Sequence, residues 1–226
     1  MRLYVDTADI PTVREALELG VIDGVTTNPT ILARAGRDLK QTMRELVDLV
    51  DGEVWCQAVS GDAAGMIAEG REIRGWGDHM VVKLPMSLAG LQASACLSAE
   101  GTTVNMTLIY SVPQALLAAK AGASWISPYA GRIDDTGASG ARLVGEMVQA
   151  LNVQGLDTRV LVASVRGPRH VSELAARGVG GFTMPYGVLL DLAANPLTAR
   201  DLERFTTDWE EAGGDAGWAP VEAPLP

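Results

Sequence analysis

The chain has 226 residues, 47% of them hydrophobic, with 18 Lys and Arg against 28 Asp and Glu and a formal charge of -10 at pH 7. That length fits one sizeable domain, since α/β barrels run past about 200 residues as a single unit, and a charged fraction of 20% excludes a disordered chain. The acidic balance excludes a surface built for nucleic acid or for an anionic membrane.

The opening Met-Arg-Leu-Tyr-Val-Asp reaches an acidic residue too early for a secretory signal peptide, and no apolar run approaches the roughly 18 residues of a membrane span. From there short β-branched runs alternate with longer Ala- and Leu-rich stretches of helical period. Strands are predicted at 3–6, 25–27, 54–59, 80–84, 103–107, 125–129, 160–164 and 181–184. Helices are predicted at 11–19, 39–50, 63–74, 88–98, 112–121, 141–151, 168–177 and 188–194. Pro11 and Pro168 suit first helical turns, and Gly20, Gly122 and Gly178 suit helix exits. Eight strand–helix pairs predict a closed (β/α)8 barrel over residues 1–196. An open doubly wound sheet is the alternative, but it favours a G-x-G-x-x-G turn after the first strand, and none is there.

A ninth helix, 197–212, follows the barrel, with Leu197, Leu202, Phe205 and Trp209 on one apolar face. That face either docks on a neighbouring subunit or closes the bottom of its own barrel. Residues 213–226 are rich in Gly and Pro and read as a tail, loose or packed on a neighbour. Cys56 and Cys96, far apart, imply no disulfide framework and point to a reducing cytoplasm. His79 and His170 stand at no metal-ligand spacing, so no metal site is expected.

In a parallel barrel, strand residues alternate between interior and helix-facing, and reactive groups collect at the C-terminal strand ends. The first strand offers Asp6 there, the third Gln57, the fourth Lys83, and the fifth Asn105 and Thr107. The sixth ends in Tyr129 and the seventh in Ser164. Six strands thus converge on one polar mouth. Lys83 is the sharpest feature, set in the otherwise apolar Met80-Val81-Val82-Lys83-Leu84-Pro85. Burial lowers an ammonium's pKa, as an amine nucleophile attacking a carbonyl requires; the alternative is a lysine whose stem lets its charge reach solvent. Asp9 is the better helix cap, which frees Asp6 to hold the lysine or a substrate hydroxyl. Asn28, before Pro29, suits a helix cap and a substrate contact equally. Cys56 is expected to face the helices.

Arg132, Ser164 and Arg166 form a second cluster beside a helix start, a donor set suited to phosphate. The alternative is surface arginines paired with Asp134, Asp135 or Glu173. Arg169 and His170 lie farther along the helix, beyond the ligand.

The segments Leu3-Tyr4-Val5-Asp6-Thr7-Ala8-Asp9, Gly24-Val25-Thr26-Thr27-Asn28-Pro29, Val81-Val82-Lys83-Leu84-Pro85, Asn105-Met106-Thr107-Leu108, Ser127-Pro128-Tyr129-Ala130-Gly131-Arg132-Ile133-Asp134 and Ala163-Ser164-Val165-Arg166 carry a resemblance. The chain resembles the transaldolase family, most closely its short-subunit members, which include fructose-6-phosphate aldolase. The resemblance implies cofactor-free class I aldolase chemistry on sugar phosphates. It places Lys83 as the Schiff-base lysine, Asp6, Asn28 and Asn105 around a dihydroxyacetone unit, and Thr107 at a catalytic water. It places Arg132, Ser164 and Arg166 at the phosphate. A ten-subunit assembly, with the last helix packed on a neighbour, is also implied. Many transaldolases carry Glu where Gln57 stands and Phe where Tyr129 stands, so these two match the aldolase; Asn105-Met106-Thr107 matches the transaldolase version. Three readings follow: a lyase cleaving fructose 6-phosphate to dihydroxyacetone and glyceraldehyde 3-phosphate, a transferase moving the same unit between sugar phosphates, and a sugar-phosphate-binding barrel without catalysis. Intact Lys83 disfavours the third.

Overall fold

The computed structural model describes residues 1–36 and 38–214. Eight parallel strands close on themselves in sequence order: β1 (Arg2–Asp6), β2 (Gly24–Thr26), β3 (Glu53–Gln57), β4 (Met80–Pro85), β5 (Val104–Ile109), β6 (Trp125–Pro128), β7 (Arg159–Val162) and β8 (Gly181–Met184), with β8 pairing back to β1. The helices are α1 (Ile10–Glu18), α2 (Pro29–Ala35), α3 (Leu39–Leu49), α4 (Ala63–Arg74), α5 (Leu88–Ala99), α6 (Val112–Lys120), α7 (Ala130–Asp134), α8 (Gly140–Val153), α9 (Pro168–Ala175), α10 (Tyr186–Ala193) and α11 (Pro196–Glu211). This is the (β/α)8 barrel that the alternation predicts, and its closure excludes the open sheet.

Helix starts are fixed by local chemistry. Asp9, Asp38, Asp62, Ser87, Ser111 and Ser139 each accept a first-turn backbone N–H that would otherwise be unpaired, a contact worth about 1 kcal/mol. Gly20, Gly122 and Gly178 leave helices at φ of 65°, 81° and 77°, a region that costs a side chain dearly.

Two helices and several strand ends differ from the sequence prediction. α2 is foreshadowed only by its Asn28-Pro29 start and α7 not at all, because 7 and 5 residues are too few to show a helical period. β3, β6 and β7 stop at Gln57, Pro128 and Val162, short of 59, 129 and 164. At the mouth the chain leaves the sheet; Tyr129 keeps only an isolated bridge to Ala163. β5 instead runs on to Ile109 across a register shift at Leu108, whose φ is 63°.

The barrel interior is layered. Tyr4, Trp55, Val81, Trp125 and Leu161 are buried together, with the Tyr4 and Trp55 rings 5.1 Å apart and Trp55 and Trp125 5.6 Å apart. Tyr4 donates its hydroxyl to Glu53, which also pairs with Arg2 at 2.6 Å. These side chains close the N-terminal end of the barrel. Two residues onward along the same strands, on the same face, stand Asp6, Gln57, Lys83 and Ser127. The polar layer therefore rests directly on an aromatic floor.

Internal contacts divide the chain into Met1–Asp191, which holds the whole barrel, and Leu192–Pro226. α11 has no buried residue, and Leu197, Leu202, Phe205 and Trp209 are each more than half exposed. From residue 215 onward the predicted tail 213–226 lies outside the described residues. Among those described, no helix is long and apolar enough to cross a membrane.

Candidate active site

Lys83 is only 5% exposed, and its Nζ donates to the Thr27 carbonyl at 2.6 Å. It does not run to solvent. Burial pushes its pKa below the ordinary lysine value, while the nearby Asp6 and Cys56 oppose that shift. Asp6 responds in the other direction: burial raises its pKa, and Lys83 and a hydrogen bond from Thr26 oppose. Thr26 Oγ1 donates to Asp6 Oδ1 at 2.7 Å and contacts Thr183 Oγ1 on β8. With Asp6 ionised, Thr183 must supply the proton of that second contact, so two threonines orient one carboxylate. The result is an amine biased toward its free form facing a carboxylate that holds a proton more readily than usual.

Strand register places the neighbours of the lysine. Gln57 lies opposite Lys83 on β3, and Asn105 opposite it on β5. Asn105 is fully buried; its Oδ1 accepts from Ser127 Oγ at 2.9 Å, and its Nδ2 has no partner among the described residues. A buried, unpaired amide donor inside a barrel is costly, by about 1–3 kcal/mol, and is suited to a substrate oxygen. Thr107, also fully buried, donates to the Tyr129 hydroxyl at 3.3 Å. Burial raises the Tyr129 pKa, so the phenol keeps its proton. Asn28 Oδ1 accepts the Ile31 N–H at 3.0 Å and caps α2, which leaves its Nδ2 for another contact. Cys56 faces the helices beside Leu39 and Ile73, and burial pushes its thiol up to about 12. It is inert as a nucleophile. A cavity of about 530 Å³ opens beside Asp6, bounded by Asp9, Ile31 and Arg34.

The arginine cluster comes out mixed. Among the described residues Arg132 forms no ion pair: its guanidinium lies 4.6 Å over the Tyr129 ring and donates to Tyr110 at 3.4 Å. Arg166 instead forms a two-pronged pair with Asp135, one contact being 2.6 Å, and this pair holds the Asp135 carboxyl below its ordinary range. Ser164 stands between them at a φ of 57°, a left-handed conformation rare for a residue with a side chain. Gly131 donates its N–H to the Ser164 carbonyl at 3.1 Å, and a Cβ there would sit 2.4 Å from that oxygen and 2.6 Å from Arg166 Nε. Only glycine lets α7 approach so closely. Arg169 pairs with Glu173 on the surface.

Sequence reading missed Thr26, Thr183, Ser127 and Tyr110. The first three share the inward parity of Asp6 and Lys83, a signal that strand alternation contains; Tyr110 reaches the site only through the Leu108 bulge. Among the described residues no group of His, Cys, Asp and Glu is placed to hold a metal ion.

Fold and site together define a class: a (β/α)8 barrel enzyme with a desolvated lysine amine at its catalytic end. Residues 3–216 match the transaldolase/fructose-6-phosphate aldolase family. A protein named "Probable transaldolase" from Aquifex aeolicus is 46% identical over 211 residues, covering 93% of this chain and 97% of that protein. One of the same name from Clostridium acetobutylicum is 45% identical over 212 residues, covering 94% and 99%. The chain belongs to the transaldolase/fructose-6-phosphate aldolase family and is an aldolase or transaldolase of the Schiff-base type. The solved thiamine phosphate pyrophosphorylase from Pyrococcus furiosus, at 18% identity and a TM-score of 0.59 over 85% of this chain and 93% of that one, shares the fold alone.

Proposed function

We propose that the enzyme cleaves fructose 6-phosphate to dihydroxyacetone and glyceraldehyde 3-phosphate through an imine on Lys83. The Lys83 amine attacks the ketose C2 carbonyl, and loss of water gives the protonated imine. Asp6 takes the proton from the hydroxyl on C4, whose oxygen closes to the aldehyde carbonyl as the C3–C4 bond breaks; the electron pair of that bond stays on C3 as an enamine on Lys83, and glyceraldehyde 3-phosphate leaves. Protonation of C3 and hydrolysis of the imine release dihydroxyacetone. Asn28 and Asn105 hold the hydroxyls of the three-carbon unit. Arg132, Ser164 and Arg166 hold the phosphate, Arg166 exchanging Asp135 for it.

The observation that carries release over transfer is the Tyr129–Thr107 contact. Thr107 occupies the phenol oxygen as donor, so the Tyr129 proton is free to pass to C3, directly or through a water held with Gln57. Transfer of the three-carbon unit between sugar phosphates is the second reading, favoured by the names of the relatives. Wild-type enzyme is expected to release free dihydroxyacetone faster than it transfers the unit to erythrose 4-phosphate. Tyr129→Phe with Gln57→Glu should move the ratio toward transfer. Fast transfer by the wild type with negligible free dihydroxyacetone, measured by coupled assay, would make the enzyme a transaldolase.

Arg132→Ala should raise KM for glyceraldehyde 3-phosphate about tenfold or more in the synthetic direction, as expected for a lost charge-assisted contact, and leave addition to unphosphorylated glyceraldehyde nearly unchanged. Equal losses for both acceptors would make Arg132 structural.

The exposed apolar face of α11 is assigned to a neighbouring subunit in a homo-oligomer, a decamer by family resemblance. Truncation after Pro196 should then shrink the sedimenting species; an unchanged profile contradicts the assignment. The reading places the enzyme in the reducing cytoplasm, where Cys56 and Cys96 stay thiols.

A further inference from the structure

One half-buried pair beside the phosphate end has no part in the chemistry above. His170, on α9, has a side chain 17% exposed, and its Nε2 lies 2.7 Å from Asp134 at the end of α7. Its Nδ1 accepts the backbone N–H of Arg166 at 3.3 Å. A ring that accepts at Nδ1 carries its proton on Nε2, so it donates to Asp134. Asp134 is anchored in turn, its other oxygen accepting the Gly140 N–H at 2.7 Å. The contacts thus tie α7, which bears Arg132, to the loop after β7, which bears Ser164 and Arg166. That loop needs a tie: Ser164 sits at a φ of 57°, and the Arg166 side chain hydrogen-bonds the exposed Asp135.

We propose that His170 is a positioning residue for the phosphate end of the site. Held by Asp134 as the neutral, Nε2-protonated ring, it fixes the Arg166 backbone relative to Arg132, so that both guanidiniums face one phosphate monoester. The proposal rests on the assignment of Arg132, Ser164 and Arg166 to phosphate. His170 touches no reacting atom; it acts through Arg166.

The test uses the full chain and compares wild type with His170→Ala, His170→Asn, His170→Gln and Arg132→Ala. Addition of dihydroxyacetone to glyceraldehyde 3-phosphate and to glyceraldehyde is measured for each. The Asn amide oxygen falls near the position of Nδ1 and can accept the Arg166 N–H, whereas the Gln amide falls near Nε2 and cannot. His170→Ala should raise KM for glyceraldehyde 3-phosphate about tenfold, with kcat within about twofold and KM for glyceraldehyde unchanged, the pattern of a misplaced binding group. His170→Asn should recover most of that loss and His170→Gln little of it. Equal losses on both acceptors, or Asn no better than Gln, would overturn the positioning role while a selective Arg132→Ala left the phosphate assignment standing. If Arg132→Ala is also unselective, the phosphate assignment falls and this inference with it. Should His170→Ala fail to fold, the Asn–Gln contrast decides alone.

Discussion

Lys83→Met is expected to lower kcat by at least about 10⁴-fold while leaving the barrel folded, because no other amine stands in the polar layer to form the imine. Stability should move the other way. Burial lowers the folded-state pKa of Lys83, so near neutral pH the unfolded chain binds this proton more firmly than the native barrel does. Native stability therefore rises with pH between the lowered value and the ordinary lysine range. Methionine removes that penalty, at the loss of the hydrogen bond from Nζ to the Thr27 carbonyl, worth about 1 kcal/mol. Lys83→Met should thus melt at or above the wild-type temperature near neutral pH, and its advantage should vanish in alkaline buffer. A variant that is inactive because it is unfolded would show the reverse in calorimetry.

Asp6→Asn gives the second large effect, an expected loss in kcat of about 10²- to 10⁴-fold, the range for removing a positioned acid–base group. Its pH signature distinguishes it from a packing defect. The Asp6 charge lifts the Lys83 pKa against burial, and an amide cannot. The free amine should then persist to lower pH, and the acid limb of imine formation should shift downward in Asp6→Asn relative to wild type. An unmoved acid limb, followed by trapping rate against pH, would mean that Asp6 does not face the lysine as an ion.

Much of this site was legible before the fold was known, for a geometric reason. A strand's two-residue period puts Asp6 above Tyr4, Gln57 above Trp55 and Lys83 above Val81, so apolar residues followed by polar ones at that spacing read directly as floor and mouth. The motif at Asn28 showed its cap, which the Ile31 contact fulfils. What the sequence withheld depends on segments meeting across the barrel. The left-handed Ser164, the Gly131 contact that requires it and the Asp135 partner of Arg166 arise only when α7 meets the loop after β7. Position along α9 put His170 beyond the ligand; its link to the Arg166 backbone, made from the first turn of that helix, shows only once the side chain is placed. Tyr110 likewise enters only because the chain bulges at Leu108.

The most direct test of the account is borohydride reduction of wild type and Lys83→Met in the presence of dihydroxyacetone, followed by intact mass and peptide mapping. The account predicts one reduced three-carbon adduct per wild-type chain, located on Lys83, and none on the variant. No adduct on the wild type, or an adduct that persists in Lys83→Met, would contradict it.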